Sequence, residues 1–269
     1  MSLQVHPDDA YAKKHENCNG KCEAWYFIDV TQDTRVSLGF LPGVDEKKFW
    51  HALKIGLPES VVHEFAIERG EAAYIRPGVI HTVKDGAVIA EIQQDSDITY
   101  RVSDYVHTRG DEPRELHIDK AKDVLNYDYI SDKLAGVKKI TDEHIKFVED
   151  RALQITETTG KAQAKTLKAA TKHIKKTPLP FTMCKYDYRI PIHEYSINRF
   201  RILSNVEGYG TIISPDGLFE DVSYAPGTTI LIPASVPDFS LVPATSCVMI
   251  DIIPGEYEFP KYKKRVILK

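Results

Sequence analysis

The chain has 269 residues, 42% hydrophobic and 28% charged, enough to bury a sizeable core in one large or two modest domains. A formal charge of -4 gives no general attraction to nucleic acid, and no apolar run approaches the length needed to span a bilayer. Four cysteines do not make a disulfide framework and read as reduced thiols, and with no signal peptide evident the expected location is the cytoplasm.

In Leu3-Gln4-Val5-His6 apolar and polar residues alternate, so an extended strand carries Leu3 and Val5 on one face and Gln4 and His6 on the other. After Pro7 a short polar segment reads as one or two helical turns capped by Asp8 or Asp9. Glu23 opens a second alternating run, Glu-Ala-Trp-Tyr-Phe-Ile-Asp-Val. Arg35 to Phe40 follows, then Asp45 to Ile55, where Phe49, Trp50 and Leu53 fall at helical spacing and predict a helix covering the sheet. Val61 to Ile67, Ala72 to Ile75, Ile80 to Val83, Ala87 to Gln93 and Thr99 to Val102 are short strands separated by turn signals, among them Pro77-Gly78 just before His81. Such punctuation predicts an antiparallel barrel or jelly roll.

Leu116, Ala121, Val124 and Leu125 lie near one face of a helix predicted over 114 to 125, which closes a first domain, 1–125. A polar linker or helical segment is expected over 126–176, where Lys161 to Lys176 carries six lysines and no acidic residue; a solvated face is the ordinary reading of such a run. Strands return in a second domain, 177–269, where Gly227-Thr-Thr-Ile-Leu-Ile-Pro233 echoes Gly70-Glu-Ala-Ala-Tyr-Ile-Arg-Pro77. Aligning the glycines of this echo puts Asp238 at the position of His81, and aligning the prolines puts Pro237 there. Neither is an imidazole, His193 stands alone among these strands, and this half reads as structural.

His6, Glu23 and His81 come from three separate strands able to point at one centre. Two imidazoles and a carboxylate suit a borderline divalent ion, zinc before iron or manganese, and leave room for a water or substrate oxygen. The competing reading is that each histidine is an ordinary surface or hydrogen-bonded residue. A rival cluster of His15, Cys18 and Cys22 lacks a second cysteine pair, and Cys22 points away from the face of Glu23.

Gln-Val-His-Pro-Asp-Asp at 4 to 9, Gly-Lys-Cys-Glu-Ala-Trp-Tyr at 20 to 26, Pro-Gly-Val-Ile-His at 77 to 81 and Glu-Ile-Gln-Gln-Asp-Ser-Asp-Ile-Thr-Tyr-Arg-Val-Ser-Asp-Tyr at 91 to 105 resemble the type I mannose-6-phosphate isomerases of bacteria. Gly70, Pro77-Gly78 and His81 are also similar to the second cupin signature, while the first is not matched. The resemblance implies a mainly β, double-stranded β-helix (cupin) fold with two cupin-like domains and a few short helices. It implies a zinc ion on Gln4, His6, Glu23 and His81, and matches Arg101, Lys21 and Asp97 to functional positions.

Interconverting mannose 6-phosphate and fructose 6-phosphate moves a proton between C1 and C2 through an enediol. Arg101 is the candidate cation for the developing negative charge. Lys21 is a candidate for binding substrate oxygens or phosphate, Asp97 for orienting Arg101 or sharing in proton transfer, and a ligand histidine for the base. For Arg101 and Asp97 an ordinary ion pair is the competing account. Two other functions stay open: a related cupin isomerase or epimerase on another sugar phosphate, and a non-catalytic metal- or sugar-binding cupin. Family members of this kind usually carry a substantial segment before Gln-Val-His, whereas here that strand begins almost at Met1. The expectation drawn from this is a homodimer with weak or absent turnover despite an intact metal set.

Overall fold

Alternating apolar residues and turns marked by Gly and Pro make this a mainly β chain. The computed structural model describes residues 1–104, 114–128, 138–139 and 180–255, and they fall into two units.

In the first unit β1 (Leu3–Val5), β2 (Glu23–Val30), β3 (Arg35–Phe40), β4 (Val62–Ala66), β5 (Glu71–Ile75), β6 (His81–Val83), β7 (Ala87–Gln93), β8 (Tyr100–Ser103) and β9 (Lys138–Lys139) form two antiparallel sheets. One runs β4-β3-β6-β1-β8 and the other β7-β2-β5-β9. Trp25 and Phe27 of β2 pack with Val36 and Leu38 of β3, Ile75 of β5 and Val83 of β6, joining the inner faces of both sheets. The outer face of the five-stranded sheet carries Leu3, Val5, Val62 and Val102, covered by Phe49 of α2 (Glu46–Lys54) and Ala121 of α3 (Ile118–Val124). The alternation read in Leu3 to His6 therefore holds: the apolar pair faces the helices and Gln4 and His6 face the barrel interior. Asp8 caps α1 (Asp9–His15), its side chain accepting from Tyr11 N–H.

One predicted element starts later than its pattern suggests. Residues 114–117 are not helical, and Leu116, expected on the buried helical face, is 47% exposed. Instead the His117 N–H donates to the Arg101 carbonyl at 2.8 Å, so this stretch lies along the open edge of β8 and the helix begins only at Ile118. An unpaired strand edge outcompetes helix propensity there. The lysine run 161–176 lies outside the described residues.

The second unit contains β10 (Phe181–Tyr188), β11 (Ile192–Tyr195), β12 (Arg201–Glu207), β13 (Gly210–Ile213), β14 (Val222–Tyr224), β15 (Thr229–Ile232), β16 (Asp238–Pro243) and β17 (Cys247–Pro254). Its sheets run β10-β17-β12-β15 and β11-β16-β13-β14 around Leu203, Ile212, Phe239, Leu241 and Met249. The pairings of β11 to β17 repeat those of β1 to β7. Arg201, first in β12, pairs with Ile232 at the end of β15, as Glu23, first in β2, pairs with Ile75 at the end of β5. Asp251 stands opposite Leu203 as Glu91 stands opposite Trp25, and Asp238 opens β16 as His81 opens β6.

These exchanges reverse the chemistry of the centre. Arg201 is buried and donates to Asp251 at 2.6 and 3.2 Å, to Tyr186 at 2.9 Å and to Glu194 at 3.1 Å. His193 contacts the Ser240 hydroxyl at 3.0 Å. The second unit thus fills its interior with a cation of its own.

Candidate metal centre

Three strands deliver the cluster. His6 follows β1, Glu23 opens β2 and His81 opens β6, and one ligand atom from each lies within 4.8 Å of the others, all three residues buried. Register explains the meeting, since β1 pairs with β6 so that Gln4 is opposite His81, and with β8 so that Gln4 is opposite Arg101. The turn at Pro77-Gly78 aims β6. Gly78 has φ +84°, and a Cβ there would stand 3.0 Å from the Val124 carbonyl oxygen. Its N–H donates to the His6 carbonyl at 2.8 Å, tying the turn to the ligand strand.

Each imidazole is oriented through the nitrogen facing away from the centre. His6 Nδ1 donates to the Ile98 carbonyl at 2.8 Å and His81 Nδ1 to the Val79 carbonyl at 2.9 Å. Both Nε2 lone pairs therefore face the centre, the tautomer that metal ligation requires. The loop carrying Ile98 is itself held, with Ser96 Oγ donating to the Asn19 carbonyl at 2.7 Å and Gln94 Nε2 to Asp9 at 2.8 Å.

Electrostatics inside the cluster favour the ligating forms. His6 Nε2 is 3.1 Å and Lys21 Nζ 2.9 Å from Glu23 Oε1, and His81 Nε2 is 3.5 Å from Oε2. These are ion-pair distances, yet His6 Nε2 and both Glu23 oxygens lack a partner in hydrogen-bond geometry. Burial by itself would raise the Glu23 carboxyl, but His6, His81 and Lys21 outweigh it and hold the group ionised below the usual carboxylate range. Burial first, and His6 second, push the His81 imidazole down to about 4, so it is neutral at physiological pH. Buried orphan atoms on the His6 imidazole and the Glu23 carboxylate, beside the inward-facing Nε2 of His81, fit a divalent cation.

Gln4 borders the cluster, with Nε2 3.2 Å from His81 Nε2 and Oε1 accepting from Ser2 Oγ at 3.1 Å. Turning the amide exchanges the two atoms and presents the oxygen to the centre, while Ser2 Oγ accepts from Nε2. Among the described residues no other His, Cys, Asp and Glu group has metal-binding spacing, and Cys18 and Cys22 are free thiols.

Arg101 is on the inner side of β8 opposite Gln4. Its Nη1 donates to the Glu115 carbonyl at 2.8 Å, and its Nε is buried without a partner among the described residues. Asp97 is exposed on the loop between β7 and β8, and no ion pair joins it to Arg101. The ordinary ion pair considered for these two is not formed.

No protein-family model matches the chain. The probable mannose-6-phosphate isomerase GmuF of Bacillus subtilis is 39% identical over 132 residues, which cover 48% of this chain and 42% of that protein. A putative mannose-6-phosphate isomerase of the same organism, YvyI, is 28% identical over 243 residues, 89% of this chain and 67% of its own length. The crystal structure of the mannose 6-phosphate isomerase from Bacillus subtilis superposes with a TM-score of 0.69 at 24% identity, covering 94% of this chain and 71% of that one. This chain is thus similar in sequence and in fold to proteins named mannose-6-phosphate isomerases.

The match to GmuF spans less than half of that isomerase, and the likeness to the solved isomerase is one of fold. Against this background one residue stands out that was not singled out in the sequence. Glu91 begins the fourth of the motifs resembling the isomerases, and on β7 it is opposite Trp25, one inward-facing position from Gln93 opposite Glu23. Although Glu91 is exposed, partial loss of solvent around its carboxyl, then the charge of Glu23, raises it above the ordinary range, with Lys21 pulling the other way. The signal that would have found it is the period of two in Ala87 to Gln93, which puts Glu91 on the same face as Ile89.

Proposed function

We propose that the chain is a zinc-dependent aldose-ketose isomerase interconverting mannose 6-phosphate and fructose 6-phosphate. The observation that carries this reading is the buried His6, Glu23, His81 group, with its orphan ligand atoms, beside Lys21 and Arg101. His6, Glu23 and His81, with Gln4 through its amide oxygen, are the residues that would hold the ion. When bound, it polarises the carbonyl and hydroxyl oxygens of the sugar.

The remaining work falls to side chains of the chain. Arg101 offers its Nε–H, without a partner among the described residues, to the enediolate oxygen, a charge it stabilises without losing its own proton. Lys21, within reach of Glu23, orients a substrate oxygen. We assign Glu91 to carry the proton from C2 of the aldose to C1 of the ketose, because it is the carboxyl next to the cluster that is not itself a ligand. Asp97, exposed at the rim, is assigned a sugar hydroxyl.

A sugar phosphate does not cross a bilayer unaided, so the proposed reaction belongs in the cytoplasm. Among the described residues no helix is long and apolar enough to cross a membrane. The partner we propose is a second copy of the chain, since β15 is a sheet edge among the described strands and its Leu231 is 60% exposed. Sedimentation velocity checks this, and a stable monomer rules it out.

The deciding experiment incubates zinc-loaded protein with mannose 6-phosphate and follows fructose 6-phosphate. Turnover in the ordinary range, about 1 to 1,000 per second, supports the reading. Bound metal and bound sugar phosphate without turnover would leave a non-catalytic cupin, and turnover of a different sugar phosphate would leave a related isomerase or epimerase.

A further inference from the structure

We infer that His117 is a positioning residue for Arg101, acting as a side-chain clamp on the free edge of β8. On one edge β8 pairs with β1. On the other, Arg101 exchanges two hydrogen bonds with a single residue. The His117 N–H donates to the Arg101 carbonyl at 2.8 Å, and the Arg101 N–H donates to His117 Nδ1 at 3.3 Å. The imidazole nitrogen replaces the carbonyl that a further strand would have supplied. Only a neutral ring with its proton on Nε2 accepts at Nδ1.

The clamp also sets the side chain. With His117 docked, the Glu115 carbonyl is 2.8 Å from Arg101 Nη1, which fixes the guanidinium by its far nitrogen and leaves Nε buried and without a partner among the described residues. The stretch 114–117 is held from its other end by Arg114, whose Nε donates to both oxygens of Asp104 at 2.9 and 3.1 Å, and whose N–H donates to Asp104 at 3.1 Å. Asp104, next after β8, and Arg114 are thus tied together, and His117 and Glu115 lie against Arg101. Leu116 between them is largely exposed, so apolar burial does not hold the stretch in place; the polar contacts do.

This rests on the assignment of Arg101 to the reaction, and the test separates the two. Four variants, His117→Ala, His117→Asn, Arg101→Ala and the double variant Arg101→Ala with His117→Ala, are compared for turnover of mannose 6-phosphate and metal content, and the two His117 single variants for amide hydrogen exchange at Arg101. In His117→Ala the Arg101 amide exchanges faster and turnover falls by about 100-fold, the cost of misplacing a reacting group by roughly 1 Å, with metal content unchanged. His117→Asn, whose side-chain oxygen reaches the place of Nδ1, restores both. In an Arg101→Ala background, His117→Ala costs nothing further. Unchanged exchange at Arg101 in His117→Ala, faster exchange with unchanged turnover, or losses that add to those of Arg101→Ala would each overturn the inference. If the wild type is inactive the isomerase reading fails by itself, and calorimetric affinity for mannose 6-phosphate then replaces turnover in the same comparison.

Discussion

Arg101 and Lys are not interchangeable at this position. The guanidinium is anchored through Nη1 on the Glu115 carbonyl and leaves Nε without a partner among the described residues, open for the proposed substrate contact, whereas an ammonium is a point charge that cannot do both. Arg101→Lys should lose most turnover with metal content unchanged, and unaltered turnover in a folded variant would reduce Arg101 to a structural residue. Asp104 gives a pH prediction. Hydrogen bonding to Arg114 lowers its carboxyl to about 2 from 3.8, so its stabilising contribution is complete above 3.8 and is lost as pH falls through about 2. Melting temperatures of wild type and Asp104→Asn should differ at neutral pH and converge at about pH 2. A constant difference across that window would show that the carboxylate charge is not what holds the clasp. At this scale the identities of Gln4, His6, Glu23, His81, Lys21 and Arg101 were legible in motifs. Glu91 was legible only as a position on the face of Ile89, because the period of two gives the face of a strand residue and not the neighbours that its pairing will bring.

Among the elements, the turn before β6 has the narrowest tolerance. Gly78 combines a left-handed backbone with a Cβ position 3.0 Å from the Val124 carbonyl, so Gly78→Ala should destabilise the protein by about 1–2 kcal/mol. It should also weaken metal binding, because the turn is tied to His6 and leads to His81. Equal metal affinity in the variant would mean that the turn does not aim the ligand. Strand period and helix spacing predicted β1 to β8 and α2 within a few residues. The start of α3 was missed because the spacing of Leu116 with Ala121 says nothing about an open strand edge nearby, and it is that edge which draws residues 114–117 out of the helix.

Among the described residues two units of matching strand order carry opposite centres, one a His, Glu, His group with metal-binding spacing and the other a buried guanidinium. Metal analysis should find one zinc-like ion per chain and none in His81→Ala; equal occupancy in both would refute the site. Arg201→Met leaves Asp251 and Glu194 without their cation and should cost about 3–5 kcal/mol of stability, with metal content in the folded fraction unchanged. A stable variant would show that the buried ion pairs of the second unit are dispensable. By itself the sequence determined the β character, the echo of Gly70–Pro77 in Gly227–Pro233 and which side chains have ligand chemistry, because alternation and turn residues act over a few positions. Only the tertiary structure decided that residues 6, 23 and 81 converge, that Asp97 stays apart from Arg101, and that Arg201 takes the place of Glu23. Those outcomes depend on the register of strands distant in sequence, and a shift of one residue in that register would turn each of these side chains to the opposite face.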